Sequence, residues 1–283
     1  MKPLLCFSAL LVSAVVIACA STQPEHSAPT STMQIKEIIT LSRNATTQIS
    51  SIAGNSKGTG FIIGRRHVVT CFHVVARTSQ ENGQIKWDIY QDLKIKFING
   101  QEITGKVVSI PTQQAPDPLF RDFAVIELQQ DVPQEATSSI LEVADPKFEV
   151  GDDIVFSGYP LATPAMVTHK GMVSGYDAKS KIICLQASIN KGNSGGAVCD
   201  SAGKVIGIVS MREGGIAVGL SELNAYIAES GKHGSVAIMG VDPLQAIRAI
   251  SETLDTYIST GIGYAQSSDA LRSYLDQRPE LKR

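Results

Sequence analysis

Between about residue 46 and residue 210 the chain returns again and again to short β-rich runs closed by turn signals. They read "GTGFIIG", "HVVTCF", "LKIKFING", "ITGKVVSI", "DFAVIEL", "DDIVFSGYP", "GMVSGYD", "KIICLQA", "GAVCD" and "KVIGIVS". Many short strands with no helical pattern between them exclude βαβ units and leave an all-β sandwich or a pair of barrels. Helical spacing is confined to the flanks of this region. "IKEIITLSRNA" (35–45) places Ile35, Ile38, Ile39 and Ser42 on one face. "SELNAYIAESG" (221–231) and "DPLQAIRAISETLDTYI" (242–258) follow the strands, the second with Asp242 as N-cap and Pro243 at its first helical position. "SSDALRSYLDQ" (267–277) is a terminal helix that stops before Pro279.

The first twenty residues have another purpose. Met1-Lys2 is a short positive start, Leu4 to Ile17 is largely apolar, and Ala18-Cys19-Ala20 follows. That is the pattern of a signal peptide, too short to span a bilayer comfortably. Ala18-x-Ala20 suits cleavage after Ala20, whereas Val16-Ile17-Ala18-Cys19 looks like a bacterial lipobox. The lipobox is preferred because a cysteine inside a cleavage site is otherwise unusual. It gives a signal peptide over 1–19, lipidation of Cys19 and a membrane anchor on the periplasmic side of a bacterium. Residues 20–34 then form a flexible tether, and 35–283 the folded domain.

Lys plus Arg total 25 against 27 Asp plus Glu, a net charge of −2, which excludes a general binder of nucleic acid or anionic membranes. Hydrophobic residues at 43% of 283 are enough for a proper core. Of five cysteines, Cys6 leaves with the signal peptide and Cys19 carries lipid, so Cys71, Cys184 and Cys199 remain. At most one disulfide is possible. A bridge between Cys184 and Cys199 is expected if their strands are neighbours and the cysteines face each other.

"KGNSGGAVCD" (191–200) sets Ser194 among three glycines and runs on into apolar residues. Glycine there permits a backbone that brings N–H groups close to a substrate. Gly-x-Ser-x-Gly is also the nucleophile elbow of α/β-hydrolases, but an elbow is followed by a helix and then by its acid and histidine. Ser194 is followed by a strand, a turn and a strand, and the only later histidine is His233 in a Gly/Ser-rich stretch. The opposite order fits better. His73 lies just after a β-branched run that ends at Thr70, and Asp122 stands at the mouth of an apolar strand. A serine hydroxyl becomes nucleophilic when a histidine takes its proton, and the histidine needs a carboxylate to hold its tautomer. His67, beside Arg65 and Arg66, reads as a surface residue.

"TCFHVV", "DFAVIEL" and "GNSGGAV" resemble the three signature segments of chymotrypsin-fold serine proteases. The likeness is nearest to the bacterial high-temperature-requirement (Deg-type) branch, and it extends to "GTGFII", "VTHKGMVSG", "ASINKGNSGG", "GKVIGIVS" and "GIGYAQSSDALRSYL". It implies two six-stranded antiparallel β-barrels with a helical insertion over 212–260 and a C-terminal helix. It implies His73 as general base and acid, Asp122 as its orienting carboxylate and Ser194 as nucleophile. The amides of Gly192 and Ser194 would form the oxyanion hole. Ser188, Ile189 and Asn190 would line the floor of the specificity pocket, Ser210 and Met211 one wall, and Gly263 within Gly261–Ala265 the other. No charge lies in those segments, so small or aliphatic side chains are expected in the pocket. Substrate would add as a β-strand along Ser210 to Arg212.

Neither metal nor cofactor is called for, and the expected partner is an extended or unfolded polypeptide. Asn193 stands where animal digestive relatives carry the aspartate that pairs with a new N-terminus. The resemblance to the family's frequent PDZ domain is not expected to continue, since "GSVAIMGVD" (234–242) gives way to helical patterns. The insertion's apolar stripe, Leu244, Ile247, Ile250 and Leu254, is expected to pack on the second barrel near the cleft as a gate, the alternative being a remote stabilising cap. A rival reading is an idle protease fold, a lipoprotein that only binds peptides or partner proteins.

Overall fold

The computed structural model describes residues 33–81, 84–109, 122–161, 163–210, 215–232, 234, 236–257 and 261–282. The expected signal peptide with Cys19, the tether up to residue 32, and Met211, Arg212 and His233 lie outside the described residues.

The chain enters through helix α1 (Ile35–Ala45), the range that its apolar spacing predicts. Its first turn is tied by the Glu37 carboxylate, which accepts the Gln34 N–H at 2.9 Å. Then come β1 (Thr46–Ser51), β2 (Ser56–Gly64), β3 (His67–Thr70), the single turn of helix α2 (Phe72–Val75), and a ribbon of β4 (Ala76–Glu81) with β5 (Gln84–Ile89). β6 (Lys94–Lys96), β7 (Glu102–Ser109) and β8 (Ala124–Leu128) complete the first half. Six of these strands close a barrel in the order β1-β2-β3-β8-β7-β6, every neighbour antiparallel, with Ile49 opposite Ile95 at the closing seam.

A 3-10 turn at Gln134–Ser139 leads to the second half. It holds β9 (Asp153–Gly158), β10 (Val167–Asp177), β11 (Ile182–Gln186), β12 (Ala197–Cys199), β13 (Val205–Val209), α3 (Gly215–Gly231), α4 (Pro243–Tyr257), β14 (Ile262–Ser267) and α5 (Asp269–Asp276). Its strands close a second six-stranded antiparallel barrel, β10-β11-β14-β13-β12-β9. The fold is therefore all-β with two barrels, a helical insertion between β13 and β14, and a C-terminal helix. Ile154, Phe156, Ile183, Leu185, Val198 and Ile206 fill the second barrel. Phe61, Phe72, Leu93, Ile95, Phe123 and Ile126 anchor the larger first core. Each side chain of this size, fully buried, contributes about 1.5–3 kcal/mol.

The terminal helices cross over. α1 packs against β9 and β12 of the second barrel, and Met33 N–H donates to Ser201 C=O at 3.1 Å. Ser42 is buried there and donates to Ser157 at 2.9 Å, while Arg43 reaches Thr168 at 3.1 Å. α5 goes the other way. Leu271 and Leu275 enter the core of the first barrel, and Tyr274 meets Phe123 edge to face with ring centroids 5.9 Å apart.

Two expectations fail. Cys71, Cys184 and Cys199 are all free. β11 and β12, which carry Cys184 and Cys199, are three strand steps apart in both directions around the barrel. At about 4.8 Å per step they stand on opposite sides, beyond the 7 Å that a disulfide can span between Cα atoms. The stripe on α4 also does not lie on a barrel. Ile247, Ile250 and Leu254 are 43%, 60% and 42% exposed, and α4 packs chiefly on α3. The buried residues of this pair include Ile227 and Ser251, so the inward face of α4 is rotated away from its most apolar residues.

Candidate active site

β3 ends at Thr70, and Cys71 in extended conformation (φ −71°, ψ 146°) turns the chain into α2, which carries His73 on its second residue. Asp122 sits two residues before β8, 5% exposed. β3 and β8 are neighbours, so their ends bring these two residues together. His73 Nδ1 and Asp122 Oδ2 are 2.7 Å apart, and the His73 main-chain N–H donates to Oδ1 at 3.1 Å. A carboxylate only accepts, so Nδ1 carries the hydrogen and Nε2 remains to exchange protons. Burial works against a charged His73, but the charge and hydrogen bond of Asp122 outweigh it and hold the pKa above 6.5. Burial likewise opposes the ionised Asp122, and His73 with Ser210 overcomes that and keeps the carboxyl below its ordinary value.

Ser194 lies in two consecutive tight turns. The first runs from Asn190 to Asn193, closed by Asn193 N–H donating to Asn190 C=O at 3.0 Å, with Gly192 at φ +97°. The second runs from Asn193 to Gly196, closed at 3.0 Å, with Gly195 at φ +93°. Positive φ at the third position is the type II pattern, which glycine alone adopts without strain. Space adds a second reason. A Cβ at Gly192 would collide with Tyr159 O, and one at Gly195 with Thr59 O. Leu161 N–H holds Lys191 C=O at 2.7 Å, Gly196 N–H holds Asn193 C=O, and the amides of Gly192 and Ser194 keep no acceptor among the described residues. The loop is stitched to its surroundings by Thr59 N–H to Ser194 C=O at 2.9 Å and Gly195 N–H to Val209 C=O at 2.8 Å.

Of the residues expected around a pocket, Ile189 is buried and packs on Gly263. Ser188 is exposed and Asn190 half-buried. Ser210 makes a contact that the sequence did not suggest. Its hydroxyl donates to Asp122 Oδ2 at 3.0 Å, and its N–H donates to Tyr264 C=O at 3.0 Å. Asn193 is fully buried against Gly158, and neither atom of its side-chain amide has a hydrogen-bond partner. Cys71, His73 and Asp122 offer S, N and O atoms within 4.8 Å of one another. This set does not suit a metal: burial, then the Asp122 charge, push the Cys71 thiol well above its ordinary pKa, and the carboxylate is taken by donors. Sequence reasoning missed Thr59, Tyr159 and Leu161. Their part is played by main-chain groups and one hydroxyl, which leave no pattern of residue types.

Two closed barrels, a His–Asp pair with its carboxylate buried on one, and a glycine-bounded serine on the other define the architecture of a chymotrypsin-like serine peptidase. The profile of the family described as "Trypsin-like peptidase domain" matches residues 58–208, and the chain belongs to that family. Serine protease Do-like HtrA of Bacillus subtilis (strain 168) is 26% identical over 175 residues, 56% of this chain and 34% of the relative. Serine protease HtrA-like of Staphylococcus aureus (strain USA300) is 27% identical over 205 residues, 63% of this chain and 23% of the relative. The chain thus spans about a third or less of the curated relatives it matches. Among solved structures, the serine endoprotease from Yersinia pestis superposes with a TM-score of 0.52 at 19% identity, over 89% of this chain and 67% of that one. The HtrA-type protease AlgW gives a TM-score of 0.54 at 18% identity, over 87% and 63%. At that identity the likeness is one of fold.

Proposed function

We propose that the protein is a serine endopeptidase that cleaves extended or unfolded polypeptides through an acyl-enzyme. The reading is carried by the hydrogen-bonded His73–Asp122 pair, set in the same fold as a serine whose own amide and that of Gly192 keep no acceptor among the described residues. Ser194 Oγ attacks the scissile carbonyl carbon while His73 Nε2 takes its proton. The resulting oxyanion is met by the amides of Gly192 and Ser194, each donor of this kind contributing about 3 kcal/mol in comparable enzymes. Asp122 steadies the imidazolium without taking its proton. Collapse expels the amine, which leaves with the proton from His73. Water, deprotonated by His73, then attacks the acyl ester and returns Ser194 to its hydroxyl form.

Substrate lies as an added strand beside Ser210, and the apolar contact of Ile189 with Gly263 makes the primary pocket shallow and uncharged. Ser188 and Asn190 complete its described surroundings. The signal peptide and lipidated Cys19 would place this chemistry outside the bacterial inner membrane, tethered to a bilayer. Among the described residues, no helix is long and apolar enough to cross a membrane.

Treatment with a fluorophosphonate probe followed by peptide mass spectrometry tests the assignment. Adduct on Ser194 is expected, together with cleavage of unfolded casein. A purified, folded protein that leaves the probe unreacted would instead be an idle fold that only binds peptides.

A further inference from the structure

We propose that Thr59, a residue of the first barrel, is the positioning residue that holds the Gly192 amide in its catalytic orientation. The inference rests on the reading of Ser194 as nucleophile.

The Lys191–Gly192 peptide is the middle one of a tight turn. Type I and type II turns share nearly the same Cα path and differ mainly in which way that middle peptide faces. Glycine at the third position accepts either sign of φ at little cost, so the local sequence does not choose between them. Only one choice points the Lys191 carbonyl at the Leu161 N–H, which it accepts at 2.7 Å, and so turns the Gly192 N–H to the opposite side. The choice must come from outside the turn.

Thr59 supplies it. The residue is fully buried on β2, and its polar groups are all engaged with or beside the loop. Its hydroxyl donates to Gly192 C=O at 2.7 Å and accepts the Tyr159 N–H at 2.9 Å. Its own N–H donates to Ser194 C=O at 2.9 Å, and its carbonyl accepts the Thr70 hydroxyl at 2.6 Å. One oxygen thus fixes the exit of the turn and sets the register of the Tyr159–Leu161 segment, which presents Leu161 N–H to Lys191. Fit reinforces the link, since any Cβ on Gly192 would strike Tyr159 O. His73 and Asp122 take no part in it.

Thr59→Val keeps the shape of the side chain and removes the hydroxyl, whereas Thr59→Ser keeps the hydroxyl. With wild type as reference, five quantities are measured: the rate of fluorophosphonate labelling, kcat and KM on unfolded casein, the affinity of a peptidyl boronic acid with alanine next to boron, and the pH profile. Thr59→Val should lower labelling, kcat and boronic-acid affinity together by about 10- to 100-fold, with KM and the acid limb of the pH profile unmoved. Thr59→Ser should retain most of each. Wild-type labelling by Thr59→Val, or equal losses in both variants, would overturn the inference. Circular dichroism establishes folding, with Thr59→Ala as the second hydroxyl-free variant. Failure of both hydroxyl-free variants to fold also counts against the inference, because the hydroxyl would then be a strut of the barrels rather than of the amide. A folded wild type that does not label at Ser194 would sink the peptidase reading itself.

Discussion

Ser210 Oγ donates to Asp122 Oδ2 at 3.0 Å, the same oxygen that faces His73 Nδ1 at 2.7 Å. A residue from the second barrel therefore shares the charge of a carboxylate carried by the first. Removing this donor in Ser210→Ala concentrates charge on the oxygen toward histidine. The acid limb of the kcat/KM profile should move to higher pH, and kcat should fall moderately. Titration of activity from pH 5 to pH 9 checks it, and an unmoved limb would contradict the coupling.

Ser194→Ala should lower kcat by about 10⁶-fold while leaving the thermal midpoint nearly unchanged, because the hydroxyl is the nucleophile of the proposed mechanism but is small. Asp122→Asn should lower kcat by about 10⁴-fold through the wrong histidine tautomer. Casein hydrolysis by proteins purified away from any wild type decides both.

The His73–Asp122 pair makes activity and stability run in opposite directions with pH. The folded pKa of His73 is raised above its unfolded value of about 6.5. The stabilisation this represents is fully present below the unfolded value and is lost as pH rises through the folded one. In the proposed mechanism activity needs neutral imidazole, and it should grow over that same interval. A pH–rate profile with its acid midpoint above 6.5, set beside denaturant midpoints at each pH, measures both trends.

Asn193→Asp changes one atom and should be costly. The side chain is fully buried with no partner, so an ionised carboxylate would be an uncompensated charge, worth about 3–5 kcal/mol of destabilisation. The cost should be present at neutral pH and fade as the medium is acidified and the carboxyl is protonated. Urea unfolding at pH 7 and pH 4 tests the direction.

Ile189→Ala should deepen the pocket by removing the side chain that packs on Gly263. Preference at the cleaved position should shift toward larger apolar residues, and stability should fall by about 2–5 kcal/mol. Cleavage-site mapping on a denatured protein mixture reads the shift directly.

Most barrel strands were legible because their inward residues are Val, Ile, Leu and Phe. β1 was not, since "TTQISS" buries Thr46, Thr47 and Ser51 beside a single apolar residue, Ile49. The β4–β5 ribbon escaped for a similar reason, with β4 reading "ARTSQE". The placement of His73 just after β3, Asp122 just before β8 and Ser194 in the turns before β12 could be read from order and neighbours alone. The second role of Ser210 could not, because its hydroxyl finds Asp122 across 88 residues of sequence. The cysteine pairing failed because proximity to Ser194 in sequence says nothing about which strands are neighbours in a closed barrel. The stripe on α4 misled because helical periodicity shows which residues share a face but not what that face meets.

The crossed terminal helices bear on how this chain comes into being. Helix α1 precedes the first barrel in sequence yet packs on the second, and α5 follows the second yet joins the core of the first. Neither half has its whole core without a helix from beyond the other, so cutting the chain between the barrels should leave two incomplete halves rather than two independent domains. Contacts of such long sequence separation make for slow folding and exposed strand edges in the meantime. Once closed, the same crossing ties the two halves into one cooperative unit, and heat should melt them in a single transition.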